Sequence, residues 1–292
     1  ISGSGEFQVG ETDVSGAKNT NASLSKTTIP WPCQSNGITI EYETSGTGDP
    51  LLLVMGLGGQ LTDWPDGFVD RLVASGFQVI TFDNRDQGLS TEFDWEPPSQ
   101  IRAVMAALFK RPAKAAYLLA DMANDAVGLL AALQIERAHV VGMSMGGMIA
   151  QTISIEHPVR VLSLTSIMSN PGDRKNGRIA LSILPKLAKM RTPIRENAAE
   201  RSVEMFKLFS GSNYDPAEHL RRAEISVDRA FRPEGTKRQT AAIMASPDRT
   251  PRLRQLDVPT LVIHGLMDKL VRPSGGTATA AAIPASRLVM YP

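Results

Sequence analysis

A mostly parallel β-sheet with helices on both faces is the fold class this sequence predicts, and three observations carry it. Strand-like and helix-like stretches alternate along most of the chain, the signature of repeated strand–crossover–strand units. Several of the strand-like stretches are continuous apolar runs, such as Leu51-Leu52-Leu53-Val54-Met55, as in strands covered on both faces. Gly142-Met143-Ser144-Met145-Gly146 lies where one such run gives way to an amphipathic stretch. At 292 residues the chain can bury one large core, or a core with a smaller lid.

Taken in order, residues 1–28 are rich in Gly, Ser, Thr and Asn and predict a flexible tail without the apolar core of a signal peptide. Residues 38–43 alternate apolar and polar, as a half-exposed antiparallel strand does. Its expected partner spans 29–34, where Pro30 and Pro32 confine it to an edge. Residues 51–55 form a central strand that feeds Gly56-Leu57-Gly58-Gly59. Phe68, Leu72 and Val73 suggest a helix, and residues 77–82 a strand leading into Asp83-Asn84-Arg85-Asp86-Gln87-Gly88-Leu89-Ser90. Residues 94–117 are irregular, with a short helix expected at 104–109 near the site entrance. Leu119, Met122, Ala126, Leu129, Leu130 and Leu133 recur at helical spacing. The Gly-x-Ser-x-Gly strand and helix follow, then a strand at 161–167.

Residues 171–254 break this rhythm. They are helix-like and punctuated by Pro185, Pro193, Pro216, Pro233, Pro247 and Pro251, which predicts a helical cap inserted between two strands. The cap carries 18 Lys and Arg against 10 Asp and Glu, whereas the rest of the chain carries 13 against 20. The plain reading is solvated helix faces; the sharper one is a basic lid over an acidic core, or a preference for anionic substrates. The sheet resumes at 260–265, followed by a small Ala-rich helix around 274–283 and a last strand at 287–291. The expected organisation is thus a tail at 1–28, a first core part at 29–170, the cap at 171–254 and a second core part at 255–292.

Composition excludes several classes. Hydrophobic content of 42% and charged content of 21% are those of an ordinary globular protein. No apolar run reaches the ~18–20 residues a membrane span needs. A net charge of +1 argues against a general nucleic-acid binder. Cys33 is the only cysteine, so no internal disulfide can form, and a cytoplasmic location is expected. No cofactor or metal is called for, and the expected partner is a small-molecule ester.

The chemistry centres on Ser144. A strand that turns sharply into a helix strains its middle residue, and Gly142 and Gly146 remove side chains that would clash there. The hydroxyl is then exposed above a helix N-terminus, where negative charge is favoured. A serine needs a base, and the base an orienting acid. Asp268 follows the strand ending at Gly265, on the sheet edge where strand carboxyl ends gather. Its plain reading is a turn cap; beside the Gly-x-Ser-x-Gly turn it is favoured as the acid. An oxyanion needs two aimed donors. The Met145 amide opens the helix, and the Leu57 amide sits between Gly56 and Gly58. A dinucleotide loop is the rival for Gly56-x-Gly58, but Leu61 stands where its third glycine belongs.

Residues 38–291 resemble the α/β-hydrolase fold superfamily. Residues 54–59 look like its oxyanion loop, with Met55 in place of the usual His, and residues 82–90 resemble its Asp-x-Arg-Gly-x-Gly-x-Ser loop, with Asp86 in place of the first Gly. Residues 264–271 are similar to its His-Gly-x-x-Asp-x-x-Val acid loop. Together they look closest to bacterial carboxylic-ester hydrolases of the aclacinomycin methylesterase type. The resemblance implies Ser144 as nucleophile, Asp268 as acid, and the Leu57 and Met145 amides as oxyanion hole.

The family's order is Ser, acid, His, whereas His139, His157, His219 and His264 all precede Asp268 and read as structural. The chain starts with Ile1 and stops at Pro292, so the expectation is a truncated chain whose histidine lies past Pro292. The expected function is an ester hydrolase working through an acyl-enzyme. Lactone hydrolysis, acyl transfer, C–C bond hydrolysis and peptide cleavage remain open on the same fold, as does a ligand-binding protein with little turnover. Haloalkane dehalogenation would want a carboxylate where Ser144 stands.

Overall fold

The computed structural model describes residues 33–96, 114–189 and 193–292. The expected tail, the 29–32 part of the edge strand and the expected helix at 104–109 lie outside the described residues. The strands are β1 (Cys33–Ser35), β2 (Ile38–Ile40), β3 (Tyr42–Ser45), β4 (Asp49–Val54), β5 (Phe77–Phe82), β6 (Ala138–Met143), β7 (Val161–Ile167), β8 (Thr260–Gly265) and β9 (Ser286–Tyr291). The described helices are α1 (Asp66–Ala74), α2 (Leu119–Ala132), α3 (Met145–Glu156), α4 (Leu184–Lys189), α5 (Ala198–Phe206), α6 (Pro216–Arg229), α7 (Pro233–Ala245), α8 (Thr250–Leu253) and α9 (Ser274–Ala282).

The main sheet runs β3-β5-β4-β6-β7-β8-β9, and only β3 is antiparallel to its neighbour. The chain passes from β4 to β5 on one side and returns to β6 on the other. The order therefore reverses at β4, and a crevice opens beyond the carboxyl ends of β4 and β6. The loop after β4 and the turn after β6 are brought together by this reversal.

The continuous apolar run in β4 is explained by burial on both faces. Leu52 and Val54 join the side packed by α2 and α3, with Leu129, Leu130, Ile149 and Ile153. Leu51 and Leu53 join the opposite side with Trp64 and Val79, against which Phe68 and Leu72 of α1 pack. Leu52, Leu53, Ile149 and Ile153 are fully buried, each stabilising the fold by about 1.5–3 kcal/mol relative to exposure.

One expected element divides. The alternating stretch 38–43 is not a single strand: β2 pairs with β1 in a small antiparallel sheet, and β3 pairs with β5 in the main one. The break falls at Glu41, whose carbonyl accepts the Asp83 N–H (2.9 Å) and whose N–H donates to Ser90 Oγ (2.9 Å). The loop after β5 occupies the hydrogen-bonding groups that a continuous strand would use. Ile38, Ile40 and Tyr42 stay buried across the break, so the alternation survives although the strand does not.

Helices α4 to α8 lie between β7 and β8. Asp215 opens α6 by accepting the Ala217 and Glu218 N–H groups, with Pro216 in the first turn. Part of the basic surplus of this segment pairs with the core beneath. Arg229 pairs with Asp83, Arg238 with Asp86 and Glu92, Arg232 with Glu92, and Arg252 with Glu156. Of the readings of that surplus, the basic lid over an acidic core accounts for these four arginines. Among the described residues, no helix is long and apolar enough to cross a membrane.

Candidate active site

Ser144 caps α3 at φ 56°, ψ −117°, a region that L residues rarely occupy. Its N–H donates to the Ile167 carbonyl at 2.8 Å, which ties the turn to the end of β7. The flanking glycines are sterically obligatory. A Cβ on Gly142 would overlap the Gly146 carbonyl, and one on Gly146 would overlap the Val54 carbonyl of the neighbouring strand. Gly147 is a third close approach that the five-residue pattern does not include: a Cβ there would sit 2.7 Å from Ser169 Cβ.

The loop after β4 reaches this turn. A Cβ on Gly56 would lie 3.4 Å from Ser144 Cβ and 4.0 Å from its Oγ. The Gly59 N–H closes a turn on the Gly56 carbonyl (3.2 Å), and Asn84 Nδ2 donates to the Met55 carbonyl (3.0 Å). Met55, where the resemblance leads one to expect histidine, is buried with its Cγ 2.6 Å from where a Gly59 Cβ would stand. Among the described residues no acceptor is found for the Leu57 N–H. The Met145 N–H, first in α3, has no intrahelical carbonyl to bind. Among the described residues, both N–H groups are therefore without a protein acceptor.

Asp268 lies on the loop after β8, two strands from β6 on the same sheet edge. Its Oδ1 accepts the Leu270 and Val271 N–H groups (2.8 and 2.9 Å). Its Oδ2 lies 3.5 Å from His264 Nε2. The turn-cap reading uses only Oδ1, so one carboxylate oxygen remains for another donor. No direct bond joins Asp268 to Ser144 among the described contacts.

Each histidine is held by something other than Ser144. His139 Nδ1 meets Ser163 Oγ at 2.7 Å, and His157 Nε2 meets Asn124 Oδ1 at 2.8 Å. His219 Nε2 meets Ser202 Oγ at 2.9 Å, with Phe206 and Tyr214 around the ring, and burial holds its pKa below the ordinary value. His264 is fully buried with Nε2 2.6 Å from the Val271 carbonyl. A carbonyl can only accept, so that nitrogen carries the proton, and Nδ1 lies buried against Gly276 of α9.

The inserted helices complete the surroundings. Arg229, at the end of α6, donates to Asp83 Oδ2 (2.6 Å) and Gln60 Oε1 (2.9 Å). Asp83 also accepts the Leu61 and Leu89 N–H groups, both at 2.8 Å. Asp86, fully buried, accepts from Tyr117 Oη (2.5 Å) and Arg238 Nε (2.9 Å). Burial and the Asp86 carboxylate push the Tyr117 hydroxyl pKa up, so it stays a donor. Gln239 on α7 accepts the Gly58 N–H at 2.9 Å and donates to the Arg85 carbonyl at 2.8 Å. Sequence patterning singled out neither Gln239 nor Arg229, since a polar residue on an amphipathic helix carries no local sign of what it will touch.

Comparison with known proteins agrees with this arrangement. A family model described as the alpha/beta hydrolase fold matches residues 49–292. Rhodomycin D methylesterase DauP of Streptomyces sp. (strain C5) is 30% identical over 275 residues, covering 84% of this chain and 85% of that protein. 2-Hydroxymuconate semialdehyde hydrolase of Pseudomonas sp. (strain CF600) is 30% identical over 244 residues, covering 80% of this chain and 76% of the other. Among solved structures, the enol-lactonase from Burkholderia xenovorans LB400 is similar with a TM-score of 0.64 at 22% identity, covering 88% of this chain and 89% of that one. The last is a likeness of fold.

Proposed function

Because the chain belongs to the α/β hydrolase fold family, we propose that it cleaves a small-molecule carboxylic ester through an acyl-enzyme on Ser144. The observation that carries this reading is the strained Ser144 backbone set beside the Gly56–Leu57 loop and the first turn of α3. Strain of this kind costs on the order of 1–3 kcal/mol and persists where the surroundings enforce it. The methylesterase relative supports the ester among the substrates hydrolases of this fold can take.

In this mechanism Ser144 Oγ loses its proton to a base and bonds to the ester carbonyl carbon. The carbonyl oxygen takes up negative charge between the Leu57 and Met145 N–H groups. Collapse expels the alcohol, which carries away the proton, and water then releases the acid from Ser144 by the same steps. Asp268 steadies the protonated base through Oδ2. A second reading is favoured by one observation: each of the four histidines is hydrogen-bonded to a group other than Ser144. On that reading the chain binds an ester-like ligand and turns it over little.

Fluorophosphonate labelling, with peptide mapping of the adduct, separates the two when combined with hydrolysis of a panel of chromogenic esters. Labelling at Ser144 with turnover lost in Ser144→Ala is the expected result. Labelling elsewhere, or turnover that survives Ser144→Ala, removes the acyl-enzyme on Ser144; labelling without turnover even when imidazole is supplied as base favours the binding protein.

A further inference from the structure

We propose that Gln239, carried by α7 in the inserted helices, is a positioning residue that holds the Leu57 N–H in line for the oxyanion. This rests on the ester-hydrolase reading above. Gln239 is fully buried and bridges the two loops that flank the crevice: Oε1 takes the Gly58 N–H at 2.9 Å, and Nε2 gives its proton to the Arg85 carbonyl at 2.8 Å.

Leu57 stands between two peptide planes, and each is pinned by one bond. The Gly56–Leu57 plane is held through its carbonyl, which accepts the Gly59 N–H. The Leu57–Gly58 plane is held through its N–H, which Gln239 accepts. With both planes fixed, the Leu57 N–H is left without an acceptor among the described residues. Gly58 sits at φ +74°, a conformation open to glycine and easily lost to rotation without an external anchor. An oxyanion hole works because its donors need no reorganisation when charge develops, and here one anchor for that preorganisation comes from outside the sheet.

The anchor is itself rigid. Arg85, whose carbonyl receives Gln239 Nε2, is fixed by a bidentate pair with Asp125 (2.6 Å for both bonds) and lies over the Phe93 and Tyr117 rings. On the same stretch of α7, Gly235 approaches the Asp86 carbonyl too closely for a side chain, Thr236 Oγ1 accepts from Gln87 Nε2 (3.0 Å), and Arg238 pairs with Asp86. A displacement of α7 is thereby converted into rotation of the Gly58 peptide. The inserted helices bear on rate through this contact, apart from any role in shaping the pocket.

The test compares the 292-residue chain with Ser144→Ala, Gln239→Met and Gln239→Glu on p-nitrophenyl acetate and butyrate, with imidazole at one fixed concentration as base, protein-free blanks subtracted, and Tm measured for each. Gln239→Met keeps the length and loses both bonds; Gln239→Glu keeps an oxygen opposite Gly58 and, when protonated, a donor for Arg85. Removing one oxyanion donor outright costs roughly 10²–10³ in kcat, so misaiming it should cost about 10- to 100-fold. The expected result is that loss in kcat for Gln239→Met with KM within about twofold, and recovery of most of kcat in Gln239→Glu. The fluorophosphonate reaction rate at Ser144, which needs the same oxyanion without turnover, should fall in parallel. A folded Gln239→Met whose kcat and labelling rate stay within about twofold of the parent overturns the proposal, as does a change confined to KM. If Gln239→Met does not fold, a folded Gln239→Glu far below the parent in kcat also overturns it. Hydrolysis that survives Ser144→Ala instead removes the ester-hydrolase reading, whatever Gln239 does.

Discussion

Asp83, fully buried beyond the end of β5, meets Arg229 of α6 across a 2.6 Å ion pair that joins the sheet to the inserted helices. The carboxylate is also held by the Leu61 and Leu89 amides, so the sheet fixes it with or without its partner. The arginine is the half that can leave, and its departure strands a charge out of water.

Arg229→Leu is therefore expected to destabilise the protein by about 3 kcal/mol, the low end for breaking a buried pair, because two backbone donors remain on Asp83. Asp83→Asn should also destabilise, since its amide nitrogen cannot accept the second bond. The double variant should lose less than the sum by about 1–3 kcal/mol, the coupling of a contacting pair. Urea unfolding of the four proteins measures this; additive losses would mean that the pair stabilises nothing as a pair.

Ser144 should be dispensable for folding and costly to keep. With a base supplied, Ser144→Ala is expected to lose on the order of 10⁴-fold or more in ester turnover, by analogy with serine triads. Ser144→Gly should be equally inactive yet more stable than Ser144→Ala by about 1 kcal/mol, because glycine accepts φ 56° without a Cβ penalty. Both lack the hydroxyl, so the difference isolates backbone strain. For a chain of this size it appears as a Tm gap of about 2–4 °C. A Gly variant that melts below the Ala variant would show that the turn is not strained.

These two sites differ in how far the sequence revealed them. The Ser144 turn was legible because its cause is local: two close backbone approaches demand glycine at fixed spacing between an apolar strand and a helix. The apolar run of β4 and the exact span of β7 were legible for the same reason, since burial on a sheet leaves a pattern in consecutive residues. The split at Glu41 was not, because its cause is the loop after β5, roughly 40 residues away, taking over the backbone groups. Gln239 and Arg229 were hidden likewise. Their roles are set by which loop α6 and α7 rest on, and amphipathic spacing is silent on that. The charge imbalance of 171–254 did point towards the ion pairs, though composition could not choose them over solvated faces.

His219 makes stability depend on pH near neutrality. Burial lowers its pKa from the ordinary 6.5, so the unfolded chain binds the proton more tightly than the folded one. Its contribution is complete above pH 6.5 and is lost as pH falls from there through the folded value. Tm is expected to drop between pH 7.5 and pH 5.5, with earlier hydrogen exchange in α5 and α6, which the ring joins through Ser202 and Phe206. His219→Gln, which keeps a polar partner for Ser202, should flatten that part of the profile. An unchanged slope would place the pH dependence elsewhere.

The last expectation concerns the base. His139, His157, His219 and His264 are all the histidines of the 292 residues, and each ring is engaged away from Ser144. The 292-residue chain should therefore hydrolyse esters slowly, since an unassisted serine hydroxyl is a weak nucleophile. Free imidazole should raise the rate in proportion to its concentration, and the increment should vanish in Ser144→Ala. Asp268→Asn should reduce the increment too, because Oδ2 is the oxygen left to steady an imidazolium while Oδ1 still receives Leu270 and Val271. His264 is the one competitor, as its Nε2 lies 3.5 Å from Asp268 Oδ2. To act as base it would have to release the Val271 carbonyl and leave a fully buried site. Single replacements of the four histidines by Gln should leave the slow rate within about tenfold, well short of the loss expected for a general base. Full activity without imidazole that disappears in His264→Gln would make His264 the base and overturn this assignment.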